Sequence, residues 1–247
     1  MTGKPAIAGG RPIRRKPLAF YRPFLGRQEI KAVENVLKSG WLISGAVTKR
    51  FEEEFKKYIG AKFAVSVSSC TAGLHLSLAS LGIREGEEVI VTPLTFAATA
   101  NVIVHHRARP VFADIEKDTL NIDPKSIMKK ISSKTKAIMP VHIGGFPCRL
   151  DEILGIAKKR NIPVIEDAAH ALGSEYKRRK IGNFGDATVF SFHAVKNITT
   201  IEGGMITTDN QRLVKRMILL RLHGIDKDAW SREKRTSSWK YKVLAAG

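Results

Sequence analysis

Three short segments hold residues whose types and order could do chemistry: Ser-Ser-Cys-Thr-Ala-Gly at 68–73, Asp167 with His170, and the stretch from Ser191 to Lys196. A sheltered lysine can lose its proton and form a Schiff base with an aldehyde cofactor, although most lysines are simply solvated. Asp167 directly follows the apolar run Ile-Pro-Val-Ile-Glu. Burial there raises a carboxyl pKa unless a positive partner or hydrogen bonds keep it ionised. A protonated pyridine nitrogen would serve as that partner; capping of a following helix or pairing with a surface lysine would serve as well. His170 lies three residues on and would share a face with Asp167 in a helical turn, or stand as a hydrogen-bonded core histidine. The 68–73 segment joins an apolar run to a helical pattern, so its main-chain N–H groups and the Thr71 hydroxyl suit an anion such as phosphate. The same residues suit ordinary N-capping by Ser69 or Thr71. Each feature alone is ordinary, and the case rests on their order and combination.

Elements that would position these residues are legible as hydrophobic patterns. Ile30, Val33 and Leu37 share one face of a helix over Gln28 to Leu37, stopped at Gly40. Val47, Phe51, Phe55 and Tyr58 mark a second helix, with Gly60 as a left-handed cap. Short strand-like runs then alternate with helical ones: 62–67, helix 71–81, 87–92, helix 101–106, 109–114, 136–141 and 162–167, with helices around Ser126–Ile131 and Asp151–Lys159. Runs at 187–192 and 204–208 add two strands, and Arg212 to Leu222 a closing helix. This pattern predicts an α/β domain whose mainly parallel sheet is covered by helices on both faces. Ligands of such a sheet bind beyond the carboxyl ends of its strands, where all three chemical segments fall. Residues 1–22, rich in Pro, Gly and Arg, read as an arm, 23–225 as the large domain, and 226–247 as the start of a connection.

With 247 residues and 43% hydrophobic content, the chain can bury a large core. No apolar run has membrane-spanning length and the opening lacks a secretory pattern, so a cytoplasmic protein is expected. Cys70 and Cys148 alone make neither a disulfide framework nor a zinc pattern, and no metal is expected. The formal charge of +19 could attract any polyanion. Its clusters, at Arg14–Lys16, Lys177–Lys180 and Arg232–Lys242, accompany no nucleic-acid motif, so neither nucleic acid nor membrane is expected as a partner.

From about Phe24 onward the chain resembles the DegT/DnrJ/EryC1/StrS sugar aminotransferases, a branch of the fold-type I pyridoxal-phosphate enzymes. The resemblance runs through SGWLISG, SSCTAGLHL, GEEVIVTPLTFAATAN, RPVFADI, KTKAIMPVHIGG, VIEDAAHALGS and FGDATVFSFHAVKNITTIEGGMITT. It implies the fold-type I large domain and pyridoxal 5'-phosphate as cofactor. By the same resemblance Lys196 bonds to the cofactor and shuttles a proton, and Asp167 keeps the pyridine nitrogen protonated. His170 lies near the ring hydroxyl and Phe96 stacks on the ring face, or else packs in the core. Cys70, Thr71, Ala72 and Ser191 cradle the phosphate. Trp41 and Ser44 belong to a loop that approaches the sugar in relatives.

The implied reaction moves an amino group from an amino acid, usually glutamate, to a nucleotide-linked keto sugar, in a homodimer. A sugar dehydratase of the same family would carry His at the position of Lys196, and a non-catalytic or basic binding protein is the remaining alternative. Relatives continue past the position of Gly247 into an Asn-containing segment and a smaller C-terminal domain. The chain therefore reads as C-terminally truncated, with cofactor binding and turnover expected to suffer. Cys70 stands where the family commonly has Gly.

Overall fold

The computed structural model describes residues 3–226 and 241–247. Most of the basic run from Arg232 to Lys242, and of the expected connection at 226–247, lies outside the described residues. Two helices come first, α1 (Arg27–Ser39) and α2 (Ala46–Ile59). There follow β1 (Phe63–Val67), α3 (Cys70–Leu81), β2 (Glu88–Val91), α4 (Ala98–His105), β3 (Arg109–Phe112), α5 (Pro124–Lys130) and β4 (Thr135–Met139). The chain continues through α6 (Leu150–Arg160), β5 (Ile165–Asp167), β6 (Glu175–Tyr176), β7 (Arg179–Lys180), β8 (Ala187–Ser191), β9 (Gly204–Thr208) and α7 (Gln211–Arg221).

The hydrogen-bonded orders β1-β9-β8-β5 and β3-β2-β4 are joined by parallel bridges Ile138–Val164 and Val141–Asp167 into one twisted layer. β2 pairs parallel with β3 and β4, and β5 with β8; among the described strands of this layer only β9 runs antiparallel, to β1 and β8. That reversal has a consequence for the site. Because β9 returns alongside β8, the loop 192–203 between them stays at the carboxyl end of β8, beside the ends of β1, β2 and β5.

Both faces of the sheet are covered, as the near-continuous apolar strands predict. Val89, Val91, Met139, Val189 and Ile206 pack with Leu74, Leu78, Val102, Leu213 and Met217 from α3, α4 and α7. Their neighbours along the strands, Ile90, Ile138, Phe190 and Met205, face Phe55, Ile127, Leu150 and Ile153 from α2, α5 and α6. The period-2 alternation of side chains sorts the strand residues between these two layers. Gly73 brings α3 close to the sheet, since a Cβ there would lie 2.5 Å from Val189 Cγ1.

Local details add to and in part change the sequence reading. On α2, Ile59 is buried in place of Tyr58, which is exposed with Lys180 Nζ 3.7 Å above its ring. No residue of α1 is buried: Ile30, Val33 and Leu37 are 66%, 58% and 61% exposed, so their shared face has no partner among the described residues. The basic cluster at Lys177–Lys180 forms the turn and second strand of the β6–β7 hairpin, with Lys177 and Arg178 both at positive φ. Asp167 leads into turns rather than a helix, so it caps no helix and His170 reaches its place through a loop. The 3–22 arm is almost wholly exposed, with one 3-10 turn at Ala6–Ala8.

Candidate active site

A cavity of about 300 Å³ opens at the carboxyl ends of the strands, lined by Cys70, Thr71, Thr95, Phe96, Asp167, His170, Ser191, His193, Lys196 and Glu202 among others. Its walls are strand ends and the loops and helix starts that follow them, the place an open α/β sheet offers for a ligand. The structure thus brings together seven of the residues singled out from the sequence, drawn from four separate strand ends. Ala72, by contrast, lines an adjoining cleft of about 1110 Å³, which also includes Ser44, Thr71 and Glu202. Trp41 borders neither space; its Nε1 donates to Ser44 O at 3.3 Å and closes that loop on itself.

Asp167 is buried at the floor of the cavity, at the last position of β5. Its Oδ2 accepts from the Thr99 hydroxyl at 2.8 Å, and its Oδ1 from the Ala169 amide at 3.1 Å. Cys70 Sγ lies 3.7 Å from Oδ1 and 3.7 Å from Val189 O. Burial, followed by the Asp167 charge and hydrogen bond, pushes the Cys70 thiol well above its ordinary pKa, so it stays an S–H donor. The main chain of Asp167 is held as firmly: its amide donates to Pro140 O, and its carbonyl accepts from the His142 amide.

Next to it on the strand, Glu166 points into the opposite layer. Its Oε1 accepts from the Gly185 amide and the Thr188 hydroxyl, and its Oε2 lies 2.9 Å from His142 Nε2. His142 Nδ1 accepts from the Cys148 amide at 3.1 Å, so the ring proton sits on Nε2 and is donated to Glu166. This buried network fixes β5 against β4 and β8 behind the cavity.

The lysine arrives from β8. Its backbone amide closes a turn onto His193 O at 2.9 Å, and its side chain is partly buried. Among the described residues Lys196 Nζ makes no ion pair or hydrogen bond, unlike the lysines at 38, 56 and 177. His170 is partly buried, and its pKa is lowered by burial and then by the Lys196 charge, with Asp167 opposing. Ser191 Oγ accepts from the His193 amide at 3.3 Å.

At the start of α3, Ser69 is the N-cap and accepts from the Ala72 amide at 3.1 Å. Ordinary capping therefore operates at Ser69, and the amides of Cys70 and Thr71 with the Thr71 hydroxyl remain as first-turn donors for an anion. Phe96 is 79% exposed at the cavity mouth, which excludes the core-packing alternative for it. A large apolar ring held in water at the mouth of this cavity offers a flat face for a ligand.

Thr95, Thr99, His193 and Glu202 also belong to the site and did not stand out in the sequence. The signal that could have found two of them is the pair of threonines four apart in Thr-Phe-Ala-Ala-Thr, interrupting an apolar stretch at a helix start.

The profile of the DegT/DnrJ/EryC1/StrS aminotransferase family matches residues 23–244. The uncharacterized protein MJ1066 of Methanocaldococcus jannaschii is 56% identical over 95% of this chain and 61% of its own length. The spore coat polysaccharide biosynthesis protein SpsC of Bacillus subtilis is 50% identical over 93% of this chain and 59% of its own length. The chain thus spans about three fifths of these curated relatives. Among solved structures, the pyridoxamine-phosphate form of the sugar aminotransferase Spr1654 of Streptococcus pneumoniae superposes with a TM-score of 0.87 at 37% identity. It covers 93% of this chain and 63% of that one. Fold and sequence agree over almost the whole described chain: it belongs to the DegT/DnrJ/EryC1/StrS aminotransferase family.

Proposed function

We propose that this chain is the cofactor-binding part of a pyridoxal-phosphate-dependent aminotransferase that passes an amino group from an amino acid, glutamate by family habit, to a nucleotide-linked keto sugar. The observation that carries the reading is the pairing, in one cavity, of Lys196 Nζ, unpartnered among the described residues, with the buried, hydrogen-bonded carboxylate of Asp167. The residues fit the group. A buried carboxylate suits a pyridinium nitrogen, the start of α3 suits a phosphate, and exposed Phe96 suits a ring face. Bound there, pyridoxal phosphate supplies an electron sink for carbanion chemistry at the substrate Cα.

The protein's own groups then divide the work. Lys196 Nζ would hold the cofactor and, as a free amine, would move a proton at the donor Cα. Asp167 would hold the ring nitrogen, and Thr71 with the Cys70 and Thr71 amides and Ser191 would hold the phosphate. His170 stands at the ring hydroxyl, and Trp41 and Ser44 form the loop facing the sugar side. Glutamate and the nucleotide-linked keto sugar are the small-molecule partners, and a homodimer is supported by the uncovered apolar residues Phe20, Phe24, Ile30 and Leu37. A dehydratase is disfavoured by a lysine at 196 rather than a histidine.

The test is an absorbance spectrum of the chain with added pyridoxal phosphate beside Lys196→Ala, followed by borohydride reduction and mass spectrometry. A visible band and an adduct on Lys196, both lost in the variant, are expected. A folded chain with neither would reduce it to a non-catalytic binding protein.

A further inference from the structure

Thr99 Oγ1 is wholly buried on the first turn of α4, 2.8 Å from Asp167 Oδ2, 2.7 Å from Thr95 Oγ1 and 3.2 Å from Phe96 O. A hydroxyl has one proton to give, and an ionised carboxylate can only accept. The Phe96 carbonyl is already served by the Thr99 amide at 3.1 Å. The Thr99 proton therefore goes to Asp167, and the hydroxyl of Thr95 must donate to Thr99. The two threonines form a one-directional relay that begins in the loop carrying Phe96 and ends on the buried carboxylate.

A carboxylate offers about four acceptor sites. The Ala169 amide donates to Oδ1, which the Cys70 thiol also approaches while standing equally far from Val189 O, and Thr99 alone donates to Oδ2 among the described residues. Oδ2 is thus the oxygen with room for another donor, and its place is set by the hydroxyl of Thr99. Phe96 and Asp167 line opposite parts of the same cavity, so the relay ties the residue at the mouth to the carboxylate on the floor.

From this geometry we infer that Thr99 is a positioning residue, acting through Asp167 Oδ2 on whatever donor that oxygen binds, with Thr95 fixing the direction of its proton. The inference rests on the cofactor reading, in which that donor is the protonated ring nitrogen. Valine at 99 would keep the shape of threonine but leave Oδ2 one donor short and Thr95 without its acceptor. Serine would keep the hydroxyl and lose only a methyl group.

The test compares pyridoxal phosphate with 1-deazapyridoxal phosphate, which has carbon in place of the ring nitrogen, by titrating the 247-residue chain and its variants. Thr99→Val should weaken pyridoxal phosphate binding roughly tenfold, the loss of one hydrogen bond to a charged acceptor, while leaving the deaza compound nearly unchanged. Thr99→Ser should restore most of the affinity. Thermal unfolding checks that each variant folds; should Thr99→Val not fold, Thr95→Val carries the test, with a smaller loss again confined to pyridoxal phosphate. Equal weakening of both compounds, or a serine variant as poor as valine, would overturn the inference in favour of packing. If the unaltered chain binds neither compound, the cofactor reading itself fails and takes this inference with it; binding that Thr99→Val does not disturb overturns the inference alone.

Discussion

Gly204, the first residue of β9, lies so close to Cys70 that a methyl group on it would come within 2.8 Å of the Cys70 amide nitrogen. The same methyl would stand 2.7 Å from the Ser69 carbonyl carbon and 2.8 Å from Phe190 O. The strand that follows the lysine loop is thereby pressed against the turn offered to the phosphate, and only a hydrogen fits between them. Gly204→Ala is expected to cost about 1–3 kcal/mol of stability through forced backbone movement. It should also weaken pyridoxal phosphate binding, because the displaced backbone is that of Ser69 and Cys70. Denaturant unfolding and cofactor titration of the one variant check both effects. Gly73→Ala, which meets side-chain atoms of Val189 and Ile206, should lose stability with a smaller change in binding.

Phe96 makes the opposite prediction. A ring 79% exposed contributes little to folding, so Phe96→Ala should change unfolding free energy by no more than about 0.5 kcal/mol. Loss of ring stacking should nonetheless weaken cofactor binding about two- to tenfold. A large drop in stability with unchanged affinity would show that the ring serves the fold instead.

Behind the cavity, Glu166 and His142 are both fully buried and saturated with hydrogen bonds. His142→Ala would leave Glu166 Oε2 and the Cys148 amide without partners, at a cost of about 3–5 kcal/mol. Glu166→Gln is not a mild change here. Its amide nitrogen would face the Nε2–H of His142, donor against donor, because Nδ1 is already taken by the Cys148 amide; about 1–3 kcal/mol should be lost. Urea unfolding of the two variants tests the order of the effects.

His75 adds a pH dependence to stability. It stacks on His106 with ring centroids 4.4 Å apart, and burial, then His106 and His105, lowers its pKa from 6.5. With a folded pKa below the unfolded one, its contribution is fully present above the unfolded value. It is lost as pH falls through the folded pKa, since the unfolded chain takes up the proton more readily. His170 is lowered as well and adds to the same slope. The temperature of the unfolding midpoint should fall as the pH is lowered below about 7, and His75→Gln should flatten that slope without abolishing it. An unchanged slope in the variant would assign the acid sensitivity elsewhere.

The sequence by itself determined most of the elements, because helix and strand identity is written in local periodicity and in the glycines at 40 and 60 that cap the first helices. It also determined the order of the lysine, the aspartate and the phosphate-turn residues, since a motif is a local object. The tertiary structure decided what depends on contact between distant segments. It made β9 run against its neighbours and so kept the Lys196 loop at the carboxyl end of the sheet. It turned Phe96 outward, exchanged Tyr58 for Ile59 in the core, and left the apolar face of α1 bare among the described residues. It also brought Thr99 to Asp167 across 68 residues of chain, a hydrogen bond for which no spacing rule exists. Periodicity reports which face of an element is apolar, but whether that face finds a partner, and which polar atoms meet when it does, is settled by the packing of the whole chain.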